Sequence, residues 1–175
     1  GCDNLSVIND FEAVAHGITE LGSEDLVQVG GQAPIANKAI GILGPGTGLG
    51  VAGLVHHNDS YHVLDTEGGH ADYAPIDEVQ SAVVNRLRET YGRVSLERLL
   101  SGNGLLNIYT ALCGIEDTEV IFTTPAEVVA GALDSSDQRA LQTLNIFCEG
   151  MGSAAGNLAL TYGAKGGIYI AGGVI

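Results

Sequence analysis

The segment Glu67-Gly68-Gly69-His70 sets a carboxylate and an imidazole close together on a backbone that two glycines allow to turn tightly. A hydrogen-bond acceptor beside a donor-acceptor ring is a chemistry suited to two neighbouring hydroxyls of a sugar. Asp65, Asp72 and Tyr73 make the surroundings unusually polar, and Glu97 stands farther on, at the start of a short helix. The plainer alternative is a solvated loop. For His16, His56, His57 and His62 a solvated surface position is the expectation.

A second constellation is Gly44-Pro45-Gly46-Thr47-Gly48-Leu49-Gly50, with four glycines in seven residues. Such a loop lets backbone N–H groups approach an anion, and Thr47 adds a hydroxyl donor. No Gly-Lys-Ser/Thr follows, so it is not a Walker loop, and the glycine spacing does not fit a dinucleotide fingerprint. A glycine-rich hairpin without a ligand accounts for it equally well. Two shorter signals complete the set. Asn9-Asp10 reads as a pair of helix-capping residues, although a carboxylate there could also serve as a general base. Gly172-Gly173, after an apolar strand, reads as a turn whose bare backbone could also carry an adenine ring.

The elements that must position these residues follow from periodicity. A helix is expected from about Phe11 to Ile18. A buried strand at Ala39 to Leu43 leads into the glycine loop, Val51 to Val55 resumes as strand, and Tyr61 to Leu64 returns antiparallel after an Asn58-Asp59-Ser60 turn. Val79, Val83 and Leu87 mark the inner face of a helix through Asp77 to Tyr91, with Arg86 and Arg88 outward and Gly92 ending it. Ser95 is expected to cap a short helix to Leu100. Ser101-Gly102-Asn103-Gly104 is expected to break the chain before another helix at Leu105 to Leu112. Thr124-Pro125-Ala126-Glu127 combines an N-cap, a proline at the first helical position and a capping-box glutamate. A long helix from Asp137 to Tyr162 carries Leu141, Leu144, Phe147 or Cys148, Met151, Ala155 and Leu158 on one face. Its Gly150, Gly152 and Gly156 cost up to about 1 kcal/mol each in propensity, tolerable where another backbone packs closely. A final strand spans Ile168 to Ala171.

Composition limits the function classes. Of 175 residues, 45% are hydrophobic and 16% charged, enough apolar material for a core. A net charge of −14 leaves no basic surface to meet a phosphate backbone, so nucleic acid is not expected as a partner. Any phosphate would rest on backbone N–H groups, a metal ion or the few basic side chains, which directs attention to the 26 glycines. Cys2, Cys113 and Cys148 are scattered and odd in number, and read as small core residues of a protein in a reducing cytosol. No stretch approaches the roughly 20 apolar residues of a membrane span.

Taken in order, the motifs resemble the bacterial glucokinase family, within the actin-like, sugar kinase superfamily. Ile8-Asn9-Asp10-Phe11 resembles its catalytic-aspartate segment, Gly44 to Gly50 its second phosphate motif, and Thr66-Glu67-Gly68-Gly69-His70 to Pro75 its sugar-binding segment. Val94-Ser95-Leu96-Glu97-Arg98 with Leu100-Ser101-Gly102 resembles the stretch bearing a further sugar-binding glutamate, and Gly156-Asn157-Leu158-Ala159-Leu160 through Gly172-Gly173 the long helix and adenosine motif. The resemblance implies an α/β fold, an actin-like ATPase (ribonuclease H-like) domain truncated at both ends. Residues 1–20 would end a small domain, and 21–175 would form an incomplete large one.

It implies ATP-dependent phosphorylation of glucose at the 6-hydroxyl. Asp10 would take the hydroxyl proton, while Asn9, Glu67, His70 and Glu97 hold sugar hydroxyls. Gly46, Thr47 and Gly48 would meet the nucleotide phosphates, Gly172 and Gly173 would back the adenosine, and Mg²⁺ would bridge phosphate oxygens. A cytoplasmic homodimer is implied for the full-length protein. The family's first phosphate motif, of Asp-Gly-Gly-Thr type, does not occur in this sequence, and neither do the C-terminal helices that complete the fold. No Cys-x-Cys cluster follows His70, so no structural zinc is expected. The alternative is a non-catalytic sugar-binding or regulatory relative, disfavoured because Asp10 is present.

Overall fold

The computed structural model describes residues 7–174, and Cys2 lies outside them. Helix α1 (Asp10–Ile18) is followed by irregular chain to strand β1 (Ile40–Pro45), strand β2 (Leu49–His57) and strand β3 (Ser60–Thr66). Then come helices α2 (Glu78–Tyr91), α3 (Gly102–Ile115), α4 (Pro125–Leu133) and α5 (Gln138–Tyr162), and finally strand β4 (Ile168–Ile170). The strands form one sheet in the order β3-β2-β1-β4, with β1 antiparallel to β2 and parallel to β4.

Burial explains this order. Strand β1 is buried throughout, as a central strand must be, while β3 alternates between exposed and half-buried residues at the sheet edge. Asn58 and Asp59 both take positive φ, which is the two-residue turn that suits a twisted hairpin. Because strand side chains alternate, Ile40, Ile42, Ala52 and Leu54 meet Ala15 and Ile18 of α1 on one face. Leu43, Leu49 and Val51 face the opposite way, into the larger core with α2, α3 and α5.

Two glycine pairs facing each other across β1 and β2 let elements approach these faces. Gly41 pairs with Gly53, and a Cβ on either would strike Leu158 or Tyr162 of α5. Gly44 pairs with Gly50, where a Cβ on either would strike the Phe11 ring. Gly44, Pro45, Leu49 and Gly50 of the glycine-rich loop are thus paired strand, and only Gly46, Thr47 and Gly48 connect the two strands.

Several boundaries differ from expectation. Helix α3 starts at Gly102, because Ser101 caps it by accepting from Gly104 N–H at 3.0 Å, and the expected break becomes its first turn. Ser95 makes no side-chain cap, and the chain beyond it forms only a 3-10 turn, Leu96–Arg98. On α2, Val79 is exposed and Gln80 is fully buried. The buried amide is satisfied: its oxygen accepts from Tyr73 Oη at 2.8 Å and Ile76 N–H at 3.2 Å, and its nitrogen donates to Glu149 at 2.9 Å. The buried face of α5 comprises Ala140, Thr143, Ile146, Phe147, Gly150, Met151 and Ala154. Phe147 and Met151 of the expected stripe are buried, Leu144, Ala155 and Leu158 are half-buried at its edge, and the centre lies toward the preceding residues. Cys148 is consequently exposed, contrary to its reading as a core residue, whereas Cys113 is buried. Close packing explains Gly150, which sits against Leu100 and Tyr73, but not Gly152 or Gly156, which have open space before them. The capping box at Thr124 and Glu127 forms as its sequence requires.

Candidate active site

The N-terminus of α1, the β1–β2 connection, the Leu96–Arg98 turn and the segment after β4 border one open cleft of about 350 Å³. Asp10, Gly46, Thr47, Gly48, Glu97 and Gly172 all line it, although 162 positions separate the first from the last of them (172 − 10). The side chain of Asn9 accepts from Phe11 N–H at 2.8 Å and so is the N-cap of α1. Asp10 is the first helical residue and is exposed, so the capping expected of the pair falls to Asn9 alone. Asn9 and Gly173 are not among the residues bordering the cleft.

The β1–β2 connection is held on two sides. Gly46 N–H donates to Gly48 O at 2.8 Å across the turn, and Gly46 O accepts from Gly102 N–H at the start of α3, also at 2.8 Å. The Glu97 carboxylate accepts from Leu49 N–H at 3.1 Å. A Cβ on Gly48 would collide with that carboxylate, which is a local reason for the glycine. Gly172, at φ 144°, lies against the Pro45 backbone where a Cβ would collide, and Ala171 N–H donates to Leu43 O at 2.8 Å.

Glu67 precedes a 3-10 turn at Gly68–His70 that ends on His70, with His70 Nε2 at 3.7 Å from Glu67 Oε2 and both side chains exposed. Neither borders the cleft described above. Their turn nevertheless abuts its wall: a Cβ on Gly69 would strike the Leu49 carbonyl, and one on Gly68 would strike Val51. Two backbone bonds, Tyr73 N–H to Val94 O at 3.1 Å and Leu96 N–H to Ala71 O at 2.8 Å, lace this turn to the one carrying Glu97.

Sequence reasoning missed three residues that build the site. Phe11 and Leu49 offer no signal beyond being apolar. Arg93 donates to Asp72 Oδ1 at 2.6 Å and to the His70 carbonyl, pinning the loop after His70. Asp72 is therefore spent on this clamp. Tyr73, counted among the polar neighbours of the site, is instead a core residue whose pKa is pushed up to about 12, by burial first and then by the charges of Asp77 and Glu149. No helix among the described residues is long and apolar enough to cross a membrane.

The family model for glucokinase matches residues 1–175. The glucokinase of Hahella chejuensis is 47% identical over 175 residues, which is all of this chain and 54% of that protein. In solved structures, the glucokinase of an Antarctic psychrotroph superposes with a TM-score of 0.87 at 39% identity, covering 95% of this chain and 52% of that one. A ROK family glucokinase from Streptomyces griseus, in complex with glucose and AMPPNP, gives 0.59 at 18% identity over 96% of this chain and 52% of that one. The fold is therefore the actin-like ATPase fold of the sugar kinases. The chain belongs to the glucokinase family, and it spans about half the length of the curated relatives it matches.

Proposed function

We propose that the full-length protein containing this chain transfers the γ-phosphoryl group of ATP to the 6-hydroxyl of glucose. The observation that carries this reading is the seating of Phe11 on Gly44 and Gly50, which keeps Asp10 at the rim of a cleft bordered by Thr47, Gly48 and Glu97. A base and a phosphate cradle must face one another for in-line transfer, and positioning is most of what phosphoryl transfer asks of a protein.

In this mechanism Asp10 accepts the proton as the sugar oxygen attacks phosphorus, and ADP leaves on the side of the glycine turn. Gly46, Thr47 and Gly48 orient the nucleotide phosphates, Thr47 and Gly48 through their backbone N–H groups and the Thr47 hydroxyl, and Gly46 by closing the turn with its N–H on the Gly48 carbonyl. Asn9, Glu67, His70 and Glu97 hold sugar hydroxyls, and Gly172 and Gly173 back the adenosine. No group of three or more His, Cys, Asp or Glu side chains suited to a metal occurs among the described residues. Mg²⁺ would therefore be held mainly by substrate phosphates and water, which leaves Asp10 free as the base and Glu97 for the sugar and Leu49 N–H. When bound, Mg²⁺ supplies neutralisation of the phosphate charge. Residues 1–20 are read as the end of a small domain, and the whole protein as a cytoplasmic homodimer.

The test is a coupled assay of the full-length protein with Mg²⁺-ATP and glucose, scored by sugar 6-phosphate formation. Turnover on the order of 1–100 s⁻¹ is expected. Binding of glucose without turnover would instead support the non-catalytic sugar-binding alternative.

A further inference from the structure

Leu49 is contacted from both of the turns that carry the sugar-site carboxylates. Its N–H donates to Glu97 Oε2 at 3.1 Å in a half-buried setting, and its carbonyl lies against Gly69, between Glu67 and His70. Leu49 is also the first residue of β2, directly after the glycine turn. The main chain of Glu97 is itself fixed, since its carbonyl accepts from Ser101 Oγ at 2.8 Å. The same stretch holds the other side of the turn through Gly102 N–H and Gly46 O. One carboxylate thus links the proposed phosphate cradle to a hydrogen-bonded corner of the large core.

A carboxylate has about four acceptor positions, and the Leu49 N–H is the only hydrogen-bond donor to Glu97 among the described residues. We propose that Glu97 is a positioning residue that couples the two substrates: one oxygen takes a sugar hydroxyl while the other holds Leu49 N–H and, through it, the glycine turn. This rests on the glucokinase reading and extends it to the order in which the site becomes rigid. Without sugar, Glu97 is anchored at one oxygen only, so that although Gly46 is held through its N–H and its carbonyl, the Gly48-Leu49 side of the turn is tied down by a single side chain that can still move. A sugar hydroxyl on the second oxygen fixes the side chain, so the turn is already ordered when phosphates arrive. The nucleotide then loses less conformational freedom on binding, which makes the coupling positive.

The experiment measures the dissociation constant of a non-hydrolysable ATP analogue for the full-length protein, with and without saturating glucose, in wild type and Glu97→Ala. Glucose should tighten analogue binding by about 5-fold or more in wild type, and by less than about 2-fold in the variant. A residue with only a structural role would weaken both ligands and leave that ratio unchanged, which would overturn the proposal. Should the variant fail to fold, hydrogen exchange at the Leu49 amide in wild type decides: it should slow with glucose alone, and unchanged exchange overturns the coupling. Glucose that binds with a ratio near one defeats this inference while leaving the kinase reading intact. Absence of any glucose binding defeats both.

Discussion

The aromatic ring of Phe11 occupies the space in front of Gly50 that a Cβ would need, and it does the same at Gly44, the cross-strand partner of Gly50. Since Phe11 directly follows Asp10, this contact ties the proposed catalytic carboxylate to the proposed phosphate hairpin. Two of the loop's four glycines are explained by an aromatic ring, with no ligand required.

Gly50→Ala should therefore displace Phe11 and loosen α1 from the sheet. Inserting a methyl group into a packed contact costs about 1–3 kcal/mol. Gly46→Ala, with nothing within 4 Å of its Cβ position, should cost far less. Urea midpoints of both variants of the full-length protein check this, and equal midpoints would show that Phe11 is not held here.

Asp10→Asn in the full-length protein should lower kcat by about 10²–10⁴-fold, the usual contribution of a general base, while glucose affinity stays within a few-fold. Helix capping cannot account for such a loss, because Asn9 makes the cap. Steady-state kinetics with calorimetric glucose titration separate the two effects, and a fully active variant would remove Asp10 from the chemistry.

Tyr73 should make stability fall at high pH. Its folded pKa of about 12 lies above the ordinary value of 10.0, so the unfolded chain releases this proton first. The contribution is intact below about pH 10 and is lost as pH rises toward 12. Tyr73→Phe should flatten the stability curve in that window. It should also cost about 1 kcal/mol at neutral pH through the lost bond to Gln80. Melting temperatures from pH 8 to 11.5 for both proteins test the window and the offset.

The 175-residue chain by itself should not turn over glucose, since an Asp-Gly-Gly-Thr phosphate segment is absent from it. The coupled assay on this polypeptide should read background. Turnover at the full-length rate would mean that the hairpin at Gly46 to Gly48 suffices to hold the phosphates.

Element types were legible wherever a local rule acts alone. The Thr124 capping box, the Asp137 start of α5 and the β2–β3 turn depend on neighbours within four residues, and their sequences announce them. Register was less legible: Phe147 and Met151 of the α5 stripe are buried as expected, but its centre is displaced toward Ala140, Thr143 and Gly150 because the elements packed on α5 choose which face is buried, and periodicity alone cannot. The Ser101 to Gly104 stretch reads as a breaker by propensity, yet one serine hydroxyl at the right distance makes it a helix start.

The sequence by itself determined the ordered motifs, the acidic balance, the resemblance to glucokinases and the residue types able to bind a sugar or a phosphate. These rest on side-chain chemistry and short spacings, which survive in one dimension. Only the tertiary structure decided that Phe11 fills the space before Gly44 and Gly50, that Arg93 is spent on Asp72 and His70, and that Glu97 reaches Leu49 from 48 positions away. The physical reason is that each of these is a contact across the fold, fixed by which surfaces the sheet and helices bury together, and no local pattern encodes which partner will arrive.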